Sequence, residues 1–211
     1  MSERCLFLPG LAARGSLYAP GLPRGWVALD PPSLGGTRGR FHAHRAWLVE
    51  ELAEDGRPVT LAGHSLGAAL AISAAADRPD LVEKLILLSP AGLPLSKPMR
   101  DSLRLLLRQV VHGLYPAGEV AAVARKAIVH PRAMYRLAHE AHELDLHDEM
   151  TRVAAAEIPA LVVTCATDTL TTPAIGRRIA ATLGCDCEQI EGAGHMWMLS
   201  DWARFRAFLS R

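Results

Sequence analysis

Lysine is scarce in this chain. Of 23 basic residues only Lys84, Lys97 and Lys126 are lysine, so arginine carries nearly all the positive charge. That bias reads as the codon usage of a GC-rich, bacterial genome. A surplus of either sign is also missing. The 22 acidic residues leave a formal net charge of +1, which gives no electrostatic case for nucleic acid or an anionic membrane as partner. No apolar run reaches the roughly 18 to 20 residues that span a bilayer. The opening "MSERCLFLPG" has one short apolar burst and lacks a signal-peptide layout. A cytoplasmic protein is expected. The four cysteines, Cys5, Cys165, Cys185 and Cys187, form neither a zinc knuckle nor a redox C-x-x-C. Cys185 and Cys187 alternate in "CDCEQI" and would share one strand face. Buried or half-buried reduced thiols are expected.

What is present is the composition of a packed globule. The 211 residues are 50% hydrophobic and 21% charged, enough for one domain, 1–211, around a real core. Short apolar runs alternate with helix-like stretches. The runs are RCLFL (4–8), WVAL (26–29), PVTLA (58–62), KLILL (84–88), ALVVT (160–164) and CDCEQI (185–190). The helical stretches cover 41–55, 66–76, 172–183 and 200–210. Several of the runs are apolar on successive residues, as in strands covered on both faces. The alternation predicts an α/β fold: an open, mainly parallel sheet of about six strands flanked by helices. Residues 96–147 break the rhythm. They hold no strand candidate and read as several helices, punctuated at Pro116 with Gly118 and again at Pro131. A helical insertion between two strands is a candidate lid, with one apolar face buried in any case.

The run at 58–62 feeds straight into Gly63-His64-Ser65-Leu66-Gly67, and "AALAISAAA" continues as helix. A serine between two glycines on a strand-to-helix turn is placed to attack. Gly63 and Gly67, lacking a Cβ, let strand and helix approach at the corner. The helix N-terminus favours negative charge developing there. The alternative is a tight turn with a capping serine.

A serine hydroxyl needs a base. Of nine histidines, His42 and His44 open a helix. His112, His130, His139, His142 and His147 stand among charged neighbours in the insertion, where solvent exposure is expected. The side chain of His64, adjoining the serine, is expected to point elsewhere. His195 follows the last strand in "EGAGHMWM", in a loop at a strand's carboxyl end, where an open α/β sheet puts its chemistry. The orienting carboxylate should be Asp168, just past "ALVVTCA". Its rivals Asp148, Asp186 and Asp201 read as surface charges or caps. Met196, Trp197 and Met198 either pack the terminal helix on the sheet or wall a pocket.

The order Ser65, Asp168, His195 resembles that of the α/β-hydrolase superfamily. Gly63-His64-Ser65-Leu66-Gly67, "TCATDTLTTP" and "GAGH" carry the resemblance, with "FLPGLAARGS" and "VALDPPSLGGT" resembling the family's first turn and following strand. It spans residues 4–211, with the insertion in the lid position and the family's N-terminal strand pair missing. The resemblance implies a catalytic Ser65, Asp168 and His195, and an oxyanion hole from the backbone N–H groups of Leu66 and Leu11. The family's usual histidine-glycine pair is replaced here by Pro9-Gly10. It implies hydrolysis of small-molecule carboxylic esters or thioesters of small to medium acyl groups through an acyl-enzyme. No cofactor and no metal are needed. A catalytically silent binding protein or receptor of this fold is the alternative. A peptidase, a C–C hydrolase or an acyltransferase using the same triad also stays open.

Overall fold

The structure, a computed structural model, describes residues 4–109 and 116–211; the candidate His112 lies outside them. Six strands, β1 (Arg4–Leu8), β2 (Trp26–Ala28), β3 (Val59–His64), β4 (Val82–Leu88), β5 (Ala160–Cys165) and β6 (Asp186–Ile190), form one sheet in the order β2-β1-β3-β4-β5-β6. Every pairing is parallel. The register sets Leu6 beside Leu61 and Leu61 beside Leu85. The strand runs seen in the sequence are all present. The ends differ: β4 starts two residues earlier, at Val82, and β3 continues through Gly63 and His64. Those two residues pair with Leu87 and Leu88, so Gly63 belongs to the strand and only Ser65 turns the corner.

Helices cover both faces, because alternate strand residues feed two cores. Leu6, Leu8, Leu61, Leu85 and Leu87 pack with α1 (Leu34–Thr37), α2 (Phe41–Asp55), α3 (Leu66–Asp77), α7 (His147–Ala155) and α8 (Pro173–Leu183). Phe7, Ala62, Ile86 and Val163 pack with Tyr18, Trp197, Phe205 and Phe208, the last two on α9 (Trp202–Leu209). Phe7 sits in an aromatic cluster, 4.8 Å from Tyr18 and 5.4 Å from Phe205 between ring centroids. Trp197 packs edge-on against Phe208, so the "MWM" stretch does fix the terminal helix to the sheet.

Between β4 and β5 lie α4 (Met99–Gln109), α5 (Ala117–Val129), α6 (Pro131–Glu143) and then α7. Among the described residues this stretch holds no strand. Pro131 ends α5 and opens α6, since its ring suits the first turn of a helix and no later one. The insertion also reaches the start of α2. The N-cap of α2, Arg40, makes no side-chain cap. Instead Glu140 of α6 accepts the Phe41 N–H at 2.6 Å and pairs with Arg40 at 3.2 Å. A carboxylate at that end also meets the positive pole of the helix dipole. None of the four cysteines is in a disulfide. Burial pushes the Cys165 thiol up to about 12 and Cys185 to about 11. Cys185 lies just before β6 and Cys187 within it.

Leu61, fully buried in the central sheet, and Val27, 54% exposed on the edge strand, provide a contrast. Leu61→Ala is expected to cost about 3 kcal/mol in urea denaturation through transfer and cavity terms. Val27→Ala should stay within about 0.5 kcal/mol. Equal losses would contradict this assignment of core and edge.

Candidate active site

Four loops at the carboxyl ends of β1, β3, β5 and β6 converge. After β3 the chain turns at Ser65 with φ +54° and ψ −115° and enters α3 directly. An L-residue rarely holds that conformation, and such residues cost of order 1–3 kcal/mol. Close packing enforces it. A Cβ on Gly63 would lie 2.5 Å from the Gly67 backbone, and one on Gly67 would lie 2.3 Å from the Leu8 carbonyl oxygen. The Ser65 N–H donates to the Leu88 carbonyl at 3.0 Å, tying the turn to β4. The Ser65 carbonyl accepts from Ala68, Ala69 and Ala91. Leu66 opens the helix, where the first amides have no partner one turn back.

The loops after β5 and β6 are bonded to each other. Ala166 N–H donates to Ile190 O, Thr167 N–H to Ala193 O, and the Thr167 hydroxyl also to Ala193 O at 2.8 Å. This brings Asp168 Oδ2 to 2.7 Å from His195 Nδ1, with both side chains almost wholly buried. Asp168 Oδ1 accepts the amides of Leu170 and Thr171. Burial alone would raise the Asp168 pKa. The adjacent His195, its Nδ1–H bond, the Leu170 amide and the Thr171 hydroxyl outweigh it and hold the carboxyl below its ordinary value. With a carboxylate accepting at Nδ1, His195 is fixed in orientation and tautomer, and Nε2 is left for other work. The sequence reading missed Thr171. Its hydroxyl lies 2.9 Å from both Asp168 Oδ2 and the Ser89 carbonyl, and 3.1 Å from His195 Nδ1. It pins the carboxylate against the end of β4. The signal available was the run of turn-forming residues after the aspartate in "DTLTTP".

Ser65 and His195 line one pocket together with Gly10, Leu11 and Leu66. Its roof comes from the insertion: Met99, Ser102 and Leu103 of α4, and Ala138, Ala141 and His142 of α6. Met196 reaches it too. Among the described residues the Ser65 hydroxyl makes no hydrogen bond, and a nucleophile–base contact commonly tightens only around substrate. The rival carboxylates lie elsewhere. Asp201 caps α9 through the Arg204 amide, Asp148 is exposed in the first turn of α7, and Asp186 is exposed on β6. No group of three His, Cys, Asp or Glu residues able to hold a metal occurs among the described residues.

A sequence model of the alpha/beta hydrolase family matches residues 5–208. The chain belongs to the alpha/beta hydrolase family. Solved structures agree on the fold. An N-acyl homoserine lactonase, AidH, solved with N-hexanoyl homoserine lactone, superposes with a TM-score of 0.78 at 18% identity, covering 100% of this chain and 89% of that one. Est816, described as an N-acyl homoserine lactone degrading enzyme, gives 0.77 at 18% identity, covering 100% and 93%. A thioesterase domain from the curacin biosynthetic pathway gives 0.64 at 17%, covering 98% and 90%. A search of curated proteins finds no significant match.

His142, His64 and, in part, His130 of this alpha/beta hydrolase depart from expectation. His142 is buried rather than solvent-exposed, because one ring nitrogen meets the Lys97 carbonyl at 2.7 Å and the other Glu143 at 2.6 Å. His64 does not turn away from the site. Its Nε2 lies 3.0 Å from the His195 carbonyl and its ring 4.7 Å from the His195 ring. A carbonyl only accepts, so Nε2 carries the proton and Nδ1 accepts from the Tyr18 hydroxyl at 2.9 Å. Burial, then repulsion from His195, holds the His64 pKa well below the ordinary histidine value. His139 and His147 are exposed and His130 half-buried.

A histidine that stays neutral when folded takes up a proton near pH 6.5 only when unfolded. Acid therefore stabilises the unfolded chain. The unfolding free energy should fall as pH drops below about 6.5, and His44, also lowered by burial, adds to the slope. Urea denaturation between pH 8 and 5 should show that decline, shallower in His64→Gln; an unaltered slope would contradict a neutral buried His64.

Proposed function

We propose that the protein is a serine hydrolase of carboxylic esters, lactones or thioesters, acting through an acyl-enzyme. The observation that carries this reading is the buried Asp168–His195 contact opening on the pocket in which Ser65 stands at a strained corner. Ser65 attacks the substrate carbonyl while His195 Nε2 takes its proton. Asp168 stabilises the imidazolium, and Thr171 steadies Asp168. The oxyanion forms against the Leu66 N–H and the Leu11 N–H, two donors of the kind whose loss costs about 3–4 kcal/mol of barrier elsewhere. His195 returns the proton to the leaving group. It then activates the water that releases the acid. No metal or cofactor enters these steps.

The chain acts as one domain, with residues 96–147 as its lid. The roof residues Leu95, Met99, Leu103, Ala138 and Ala141 give an apolar wall, suited to a small or medium acyl group and poorly to a charged one. The relatives named as lactonases and as a thioesterase domain support the choice of acyl–oxygen or acyl–sulfur bonds.

A graded panel of nitrophenyl esters, homoserine lactones and acyl-thioesters tests the reading. Wild-type protein should turn over at least one class and be labelled by a fluorophosphonate. Ser65→Ala should abolish labelling, and turnover should fall by at least about 10³-fold. Asp168→Asn should lose about 10³- to 10⁴-fold in kcat. A folded wild-type protein that resists labelling and hydrolyses nothing would favour a catalytically silent receptor.

A further inference from the structure

The oxyanion role given to Leu11 depends on a loop that carries strain of its own. The turn Gly10-Leu11-Ala12-Ala13 is closed by the Ala13 N–H donating to the Gly10 carbonyl at 3.1 Å. Its third residue, Ala12, has φ +57°, a conformation that such turns normally give to glycine or asparagine. Nothing in the turn itself favours alanine there. An external hold is present. Lys126, on α5 and far along the chain, donates from Nζ to the Ala12 carbonyl at 2.7 Å. A lysine head group is costly to withdraw from water, yet this one is half-buried. Burial, aided by nearby Arg14, pushes its pKa down, while Asp30 and Glu119 act in the other direction. The same loop is held at two further points. Glu119 of α5 accepts from the Ser16 hydroxyl at 3.2 Å, and Asp30 accepts the Gly15 amide at 2.7 Å. Two of the three holds therefore come from one lid helix.

We propose that Lys126 is a positioning residue: from the lid it locks the turn that presents the Leu11 N–H to the oxyanion. The proposal rests on the hydrolase reading above. Lys126 touches no reacting atom. Its ammonium gives the Ala12 carbonyl a charged donor, and that contact stabilises the left-handed conformation at Ala12. Without it, Ala12 relaxes toward negative φ and carries Leu11 with it. A lid docked on the body and an assembled oxyanion hole are then one condition. Substrates that hold α5 away from the body would bind but react slowly.

A purely structural role for Lys126, anchoring α5, would loosen the roof and change KM and acyl-length preference. A positioning role changes kcat. Lys126→Met should lower kcat by about 10- to 100-fold, less than the loss of an oxyanion donor outright, with KM within about threefold. Affinity for an alkylboronic acid, whose adduct with Ser65 mimics the tetrahedral oxyanion, should fall by a similar factor, while affinity for the product carboxylate holds. Lys126→Arg, which keeps a charged donor, should recover most of the loss. Lys126→Gln serves where the methionine variant fails to fold. Raised KM with intact kcat and boronic acid affinity would overturn the proposal, as would an arginine variant no better than methionine. Hydrogen exchange at residues 10–13 needs no turnover. It should quicken in Lys126→Met, and unchanged exchange overturns the proposal independently. Loss of ester turnover in wild-type protein, with exchange behaving as expected, would instead count against the hydrolase reading alone.

Discussion

The backbone at Ser65 holds a conformation that an L-residue avoids, and the surrounding structure has to keep it there. Gly63 and Gly67 supply the space, since a methyl group at either would overlap backbone of the facing segment. The Leu88 carbonyl anchors the amide of Ser65, and Ala91 donates to its carbonyl, so β4 and its following loop clamp the turn from the side. The strain is therefore spread over rigid neighbours that relax little. The result is a hydroxyl lifted to the rim of the sheet at a helix N-terminus, where an anion is favoured. Because the constraint is built from backbone, side-chain changes elsewhere leave it largely intact.

Around that corner the polar side chains are buried and their hydrogen bonds fix one another. Asp168 reaches His195 only because the loops after β5 and β6 are laced together by Ala166, Thr167 and Ala193. His64 then wedges between the Tyr18 hydroxyl and the His195 carbonyl. Each of these groups is satisfied in one protonation state only. A buried network of this kind loses more from a single removed partner than its average bond is worth. The arrangement ties the aromatic cluster under β1 to the loop bearing the imidazole, so packing on one face of the sheet bears on geometry at its rim.

The inner strands were legible in the sequence because most of their residues are buried on both faces. RCLFL and ALVVT read as strands with no tertiary knowledge, and both stand where expected. Helix α2 was legible at both ends, closing on Gly56 at φ +61°. The end of β3 was harder. Gly63 reads as a turn residue, yet a glycine can continue a strand where another backbone presses on it. Ser65, Asp168 and His195 were visible through order and loop position. Thr171, Tyr18 and Lys126 were not, because each matters through a partner many residues away or through a hydroxyl whose neighbours only the fold supplies. His142 looked solvent-exposed among charged residues and is buried, since its ring serves as a cross-link from α6 to the Lys97 carbonyl. Local composition carries no information about such a cross-link.

The reach of Glu140 to the start of α2 has a practical corollary for protein engineering. Residues 96–147 look like an appendage that could be shortened to admit bulkier molecules. Excision would remove the carboxylate that satisfies the Phe41 amide and pairs with Arg40, leaving the fifteen-residue α2 without its terminal anchor. Pruning there would trade a wider entrance for fraying of the first turn of α2. A replacement serine or aspartate at position 40 would restore a cap to that helix.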